Sequence, residues 1–213
     1  MILQIFEGKL EGDWKLFTKA VERMAIENDL KYFLSKGSDI KLPEKAFADY
    51  ANRADMERVL SAIENPDLIY LDADVEPYQL FKPLVQGKAY MAKQDQLGVF
   101  HMNGDKEMAG YLKEQLELWK TATEDGFPVC KRYHLAVWIN MWLTKNKDKY
   151  LEIPEGYYNH RHLSSWGEAE RKSILEKRKK EVKKIEYTKR DLPPDFLQFQ
   201  KEVADGKTDL SAD

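Results

Sequence analysis

Two aspartates directly after a short apolar run have the spacing most suggestive of chemistry. The run 68–71 is apolar on both faces and is followed by Asp72 and Asp74, which is typical of a central strand covered on both sides. Because ligands of open α/β sheets gather at the carboxyl ends of strands, both carboxylates are expected at a site. Together they can bind one hard divalent cation, Mg²⁺ or Mn²⁺, that also holds substrate phosphates. The alternative is a hydrated acidic loop.

A second candidate group lies in the late segment 153–166, which is predicted to be irregular. His160 could bind a metal as a neutral imidazole. Ser165 and the indole N–H of Trp166 could donate hydrogen bonds to an anion. The alternative is a surface loop that is anchored by one tryptophan.

A third candidate pair lies on a predicted helix. Asp55 and Arg58 are three residues apart and therefore share a helix face. They could bind the hydroxyls of a sugar and a phosphate. The alternative is an ordinary ion pair on the surface.

Hydrophobic periodicity predicts the elements that must position these groups. Apolar runs predict strands, and apolar residues at three- and four-residue spacing predict helices. Asp13 is expected to cap the first helix. Trp119, Trp138 and Trp142 are expected in the core, and His101 is expected to be packed rather than catalytic. The predicted strands are 2–6, 68–71, 89–92 and 98–102, and the predicted helices are 13–34, 44–63, 105–120 and 132–143.

Length and composition limit the classes of protein. A chain of 213 residues with 43% hydrophobic and 12% aromatic residues suits one domain with a buried core and excludes wholesale disorder. No run approaches the roughly 20 apolar residues of a spanning helix, and the first residues lack a secretory pattern. A single cysteine, Cys130, excludes an internal disulfide framework. A net charge of -3 argues against a nucleic-acid partner. We expect a cytoplasmic protein.

A change of composition near residue 168 predicts three segments: a compact domain at 1–167, a charged helix at 168–195 and a tail at 196–213. Residues 168–190 contain ten basic and five acidic residues. That helix is either a solvated face with i,i+4 ion pairs or a contact for anionic lipid headgroups. The second alternative would suit a lipid-linked acceptor and would place the protein peripherally at the inner face of a membrane.

The order of the three motifs resembles that of a DXD-containing family of sugar transferases. The family, glycosyltransferase family 32, includes capsular polysaccharide glycosyltransferases, initiating α-mannosyltransferases of the yeast type and, more distantly, clostridial glucosylating toxins. Its members typically show Ser-Asp-x-x-Arg, then Gly-Gly-Ile-Tyr-Leu-Asp-x-Asp-Val, then His-His-x-x-x-Ser-Trp. This chain has Ala54-Asp55-x-x-Arg58, then Ile69-Tyr70-Leu71-Asp72-Ala73-Asp74-Val75, then His160 with Ser165-Trp166.

The resemblance implies an α/β fold of the GT-A type, with a Rossmann-like mixed sheet flanked by helices. It also implies a metal-dependent, retaining transfer from a nucleotide-sugar donor to a glycan, lipid-linked or protein acceptor, as in polysaccharide biosynthesis. By position, Asp72, Asp74 and His160 would hold Mn²⁺ or Mg²⁺, with Asp72 on the metal through water or on the donor's ribose.

The resemblance also implies a set of donor contacts. Asp55 and Arg58 would hold the donor sugar, and Ser165 and Trp166 would contact the diphosphate. Phe6 lies where the family stacks the nucleobase.

The chain departs from the family pattern at three places, and two other functions stay open. Ala54 replaces the serine, Asn65-Pro66 replaces the Gly-Gly turn, and Arg161 replaces the second histidine. The first alternative is a non-catalytic binding or assembly module that keeps the fold. The second is a sugar-phosphate nucleotidyltransferase, for which residues 8–12 form a poor glycine-rich loop.

Overall fold

The structure is a computed structural model that describes residues 1–6, 9–36, 50–93, 96–124 and 135–161. Within these residues the chain forms eight strands, four α-helices and one short 3₁₀ turn. The strands are β1 (Ile2–Ile5), β2 (Tyr32–Ser35), β3 (Ile69–Leu71), β4 (Val75–Pro77), β5 (Tyr90–Met91), β6 (Val99–His101), β7 (Leu151–Glu152) and β8 (Tyr158–His160). The helices are α1 (Gly12–Glu27), α2 (Tyr50–Glu64), α3 (Lys106–Glu124) and α4 (Leu135–Lys145), and the 3₁₀ turn is Lys147–Lys149.

Six strands form one mixed sheet in the order β2-β1-β3-β6-β5-β7. Strand β6 is antiparallel to both of its neighbours, and the other pairs are parallel. Because β3 lies between β1 and β6, the prediction that residues 68–71 form a central strand is confirmed. The α/β class and the mixed sheet flanked by helices, which we expected for a GT-A type fold, are also confirmed.

Helices cover both faces of this sheet. Successive side chains of a strand point to opposite faces, so the strand residues separate into two buried clusters. Leu3 and Tyr70 pack with residues of α2, α3 and α4, whereas Ile2 and Leu71 pack with residues of α1. Three helices therefore lie on one face, and α1 lies on the other.

The predicted core aromatic residues lie in the larger cluster. Trp119 and Trp138 are buried, and Trp142 is partly buried and packs against this cluster. His101 is 2% exposed, which confirms that it is a packed residue. Full burial of one large apolar side chain, such as a leucine or a phenylalanine of this core, contributes about 1.5–3 kcal/mol to the free energy of unfolding.

Two predictions about the first helix were wrong. The helix ends at Glu27 rather than near residue 34, because Asn28 bonds back to the carbonyl of Met24 at 2.8 Å and Asp29 takes a left-handed φ of 54°. The next residues form β2, which pairs with β1 along all four positions. Asp13 does not cap the helix either: the N-cap is Glu11, and its side chain makes no capping hydrogen bond.

A small second sheet was not predicted. Strands β4 and β8 pair in antiparallel fashion, with Val75 opposite His160. The segment 153–166 is therefore not irregular throughout, because its middle forms β8. The cross-strand partner of β8 is distant in sequence, so no local sequence pattern predicts this pairing.

Several predictions fall outside the described residues. These are Ser165, Trp166, Cys130, the charged helix at 168–195 and the tail at 196–213. The starts of the second and fourth predicted helices, 44–49 and 132–134, also lie outside them. Among the described residues, no helix combines the length and the apolar character needed to cross a bilayer.

Candidate functional site

The site begins where β3 ends, and hydrogen bonds to two neighbouring segments fix that point. The backbone N–H of Asp72 donates to the carbonyl of Gly98 at 2.7 Å. The carbonyl of Asp72 accepts from Nε2 of Gln4 at 3.0 Å and from the backbone N–H of Val75 at 3.0 Å. Gln4 is held in turn by the Tyr32 hydroxyl, which donates to its Oε1 at 2.9 Å. The backbone on which both aspartates lie is therefore rigidly held.

The two oxygens of the Asp72 carboxylate have different surroundings. Oδ1 accepts from the hydroxyl of Tyr70 at 2.7 Å and lies 3.5 Å from Nη2 of Arg58. Oδ2 lies 3.7 Å from Nε2 of His160. Because Oδ1 is held from the protein side, Oδ2 is the oxygen that Asp72 turns toward His160 and can offer to a cation.

Asp74 and His160 meet although they are 86 residues apart in the chain. Nε2 of His160 lies 2.9 Å from Oδ1 of Asp74. The β4–β8 pairing brings them together, and the backbone N–H of Arg161 donates to the carbonyl of Asp74 at 3.2 Å. The β4–β8 pairing thus brings together Asp74 and His160, which are far apart in the sequence.

These three side chains fit a divalent cation. Asp72, Asp74 and His160 each offer a ligand atom, and these atoms lie within 4.8 Å of one another. Nε2 of His160 and Oδ1 of Asp74 form a hydrogen bond at 2.9 Å, a separation that adjacent ligands of an octahedral ion with bonds of about 2.1 Å also have. The carboxylates suit hard cations such as Mn²⁺ and Mg²⁺, whereas an imidazole suits transition metals, so the set as a whole fits a divalent cation without selecting one ion. Three protein ligands leave coordination positions for substrate oxygens.

Burial and neighbouring charges shift the pKa values of Asp72 and His160. Burial raises the pKa of Asp72, although the charges of Arg58 and His160 oppose that rise. Burial by itself would lower the pKa of His160, but the hydrogen bond to Asp74 and the charges of both carboxylates outweigh it and raise that pKa. Two acids so close together therefore favour a positive charge between them, and a metal cation can supply it.

Asp55 and Arg58 form a buried pair, so the surface ion pair considered as an alternative is wrong. Their side chains are 5% and 12% exposed, and Oδ1 of Asp55 lies 3.0 Å from Nη2 of Arg58. Oδ2 of Asp55 accepts from the backbone N–H of Ala136, at the start of α4, at 3.1 Å. Asp55 therefore joins α2 to α4.

The guanidinium of Arg58 reaches three parts of the site besides Asp55. It donates through Nη1 to the carbonyl of Leu97 at 3.1 Å, lies over the ring of Tyr70 at 4.9 Å and approaches Asp72. Arg58 thus contacts the candidate metal ligand Asp72 at Oδ1, the oxygen that does not face His160. Contact of either residue of the pair with a donor sugar stays a prediction.

Phe6 lies just beyond β1, at the same edge of the sheet as Asp72, since β1 and β3 are parallel. Its ring lies 4.9 Å from that of Trp14, at an angle of 42°. Stacking of a nucleobase on Phe6 stays a prediction. Ser165 and Trp166 lie outside the described residues, so their place relative to this edge is an expectation only.

Sequence reasoning missed two residues that orient Asp72. Tyr70 precedes it by two positions, so alternation along the strand puts both side chains on one face. Gln4 is a fully buried polar residue within an apolar strand, and a buried amide calls for hydrogen-bonding partners. Both signals are present in the sequence, but they become specific only when the strand order is known.

No protein-family model matches this sequence, and no curated protein matches it. Among solved structures, the chain is similar to a glycosyltransferase involved in the glycosylation of the major capsid of PBCV-1. The identity is 15%, the match covers 71% of this chain and 80% of that chain, and the TM-score is 0.44. A likeness this distant cannot assign an activity, so the function proposed below rests on the site.

Proposed function

We propose that this protein is a metal-dependent glycosyltransferase that transfers a sugar from a nucleotide-diphosphate donor. The observation that carries the proposal is the meeting of Asp72, Asp74 and His160 at the carboxyl end of the central strand. Two carboxylates and an imidazole at a sheet edge suit a cation that holds a diphosphate. The order of motifs around them resembles that of sugar transferases with the same ligand set.

A metal held by these residues would supply positive charge to offset the charge that develops on a departing nucleoside diphosphate. Asp74 and His160 would bind it directly, and Asp72 would turn Oδ2 toward it, on the metal through water or on the donor's ribose. Tyr70 and Arg58 would hold Asp72 in that orientation. The positive charge of Arg58 beside the carboxylates also prevents an excess of negative charge where a diphosphate must bind.

The finer features of the proposal come from the resemblance. They are retention of the anomeric configuration, donor contacts from Asp55, Arg58, Phe6, Ser165 and Trp166, and a glycan, lipid-linked or protein acceptor. In a retaining transfer the acceptor hydroxyl attacks on the face that the diphosphate leaves. Its proton would then go to a leaving phosphate oxygen.

Thermal denaturation with Mn²⁺ and a panel of UDP-, GDP- and CDP-sugars tests this proposal. A ligand that binds only the folded protein stabilises it by about 2.7 kcal/mol at a hundredfold excess over Kd, which is roughly 5–10 °C for a chain of this size. We expect a rise that requires both the metal and one nucleotide class. Asp74→Ala should abolish it.

Asp67→Ala is a matched control, because Asp67 is an exposed acid just before β3. It should respond to ligands like the wild type. Slow hydrolysis of the stabilising donor would then establish turnover. Binding of metal and nucleotide without hydrolysis or transfer would favour the non-catalytic module, and no response to any pair would contradict the proposed site.

A further inference from the structure

The strand that carries His160 belongs to a very small sheet. Strands β4 and β8 contribute three residues each, and a two-stranded sheet of this size is not stable by itself. Its position relative to β3 therefore depends on contacts outside the β4–β8 pair. Since His160 must reach Asp74 to complete the metal group, those contacts decide whether the group exists.

Tyr158 supplies a hydrogen-bonded contact from β8 to the large sheet. Its hydroxyl lies 2.9 Å from Nε2 of His101 on β6. The same hydroxyl accepts from the backbone N–H of Phe81 at 3.1 Å. Residues two apart on a strand point to the same face, so Tyr158 and His160 extend side by side from β8. One bonds to the large sheet and the other to the acids.

The donors available limit the directions of these hydrogen bonds. The N–H of Phe81 can only donate, so the Tyr158 hydroxyl accepts there, and its own proton is available to Nε2 of His101. A neutral His101 that accepts this proton at Nε2 carries its own proton on Nδ1. Burial, with the positive amino terminus of Met1, lowers the pKa of His101 to about 3.

We propose that Tyr158 is a positioning residue for the metal ligand His160, acting through its hydroxyl bond to His101. The hydroxyl holds β8 at the depth and register at which Nε2 of His160 meets Asp74. This inference rests on the metal site of the proposed function. Loss of partners that orient metal ligands typically weakens metal binding by 10- to 100-fold, and we expect an effect in that range.

Mn²⁺ titration followed by electron paramagnetic resonance tests the inference without any sugar substrate. Kd is measured for the wild type, Tyr158→Phe and Tyr157→Phe, well below each protein's melting temperature. Tyr157 is a matched control, because its ring packs on Phe81 but its hydroxyl makes no hydrogen bond among the described residues. We expect Tyr158→Phe to raise the Kd at least tenfold and Tyr157→Phe to leave it within twofold.

Pulsed resonance gives a second readout that simple destabilisation would not change. Nitrogen coupling to bound Mn²⁺ reports an imidazole ligand, so the wild type should show it and His160→Ala should lack it. At saturating Mn²⁺, Tyr158→Phe should show a reduced nitrogen signal, because His160 is displaced from the metal. His101→Gln, which keeps an acceptor for the Tyr158 hydroxyl, should keep the signal, whereas His101→Leu should reduce it.

The outcomes separate this inference from the proposed function. A wild type that binds no Mn²⁺ would overturn the metal site, and the positioning role with it. A wild type that binds Mn²⁺ with nitrogen coupling, together with a Tyr158→Phe variant of unchanged Kd and signal, would overturn the positioning role alone. Equal weakening by Tyr157→Phe would point to general loosening of β8 and would also overturn it.

Discussion

At the residue scale, the chemistry of the site depends on how each polar atom is held. The Asp72 carboxylate is divided, with Oδ1 bonded to Tyr70 at 2.7 Å and Oδ2 turned toward His160. A buried polar atom without a hydrogen-bonding partner costs about 1–3 kcal/mol of stability. The folded state therefore favours arrangements in which these oxygens have partners. They make the orientation of a metal ligand a consequence of residues that do not touch the metal.

His101 predicts a pH dependence of stability at this same scale. Its pKa is about 3 in the folded protein because of burial and the positive amino terminus, and about 6.5 in an unfolded chain. Between these values the unfolded chain binds a proton that the folded chain does not, so stability falls as the pH falls. His101 therefore lowers the free energy of unfolding by about 1.4 kcal/mol per pH unit below pH 6.5, or roughly 2 kcal/mol between pH 7 and pH 5.

Urea denaturation at pH 7 and pH 5 measures this loss. The matched variant is His101→Gln, which has no titrating ring but keeps an acceptor for Tyr158. We expect the free energy of unfolding to fall about 2 kcal/mol further in the wild type than in the variant. Equal falls in both proteins would show that His101 does not remain neutral in the folded state.

At the element scale, helix starts and strand pairings decide which groups meet. Asp55 joins α2 to the start of α4, and the β4–β8 pair brings His160 to Asp74. Asp105 directly precedes helix α3, and its Oδ1 accepts from the N–H of Met108 in the first turn at 2.9 Å. Its Oδ2 accepts from the N–H of Ala89, next to β5, at 2.8 Å. One buried carboxylate thus connects a helix to the sheet.

Two aspartates at helix starts should therefore differ in their contribution to stability. Asp105→Ala removes a cap, which costs about 1 kcal/mol, and leaves the N–H of Ala89 without its partner, which costs about 1–3 kcal/mol more. Asp13→Ala removes only a favourable charge from the first turn of α1, worth below about 1 kcal/mol. Urea denaturation at neutral pH compares the two variants, and equal losses would contradict the assigned cap.

At the scale of the whole molecule, the proposed metal would join the two sheets. Asp72 follows a strand of the large sheet, whereas His160 belongs to the small one. A ligand bound to both raises the free energy of any opening that separates them. The core between the large sheet and α2, α3 and α4 lies away from that junction. Its stability against local opening should therefore not depend on the metal.

Hydrogen exchange with and without Mn²⁺ tests this connection. We expect Mn²⁺ to slow exchange of the backbone amides in β4 and β8 and to change exchange in α3 little. Asp74→Ala should show no slowing in β4 or β8. Uniform slowing across the described residues would indicate general stabilisation instead, and slowing that is confined to α3 would contradict the location of the site.

Much of the fold class and part of the site could be predicted from the sequence alone. The central strand before Asp72 and Asp74, the amphipathic α3 and the buried tryptophans follow from local hydrophobic patterns, which depend on neighbouring residues only. The end of α1 was misplaced, because Phe33 and Leu34 continue a helical pattern while pairing with β1 decides their structure. Local preference is easily overruled by such pairing.

The assembly of the site was decided by the tertiary structure. The sequence determined which residues could bind a cation, since side-chain chemistry is a property of each residue. It did not determine that Tyr70 and Arg58 would hold Oδ1 of Asp72, or that β8 would carry His160 to Asp74. Contacts across 86 residues depend on how strands are ordered and paired. That order is chosen by the free energy of the whole packed chain rather than by any local pattern.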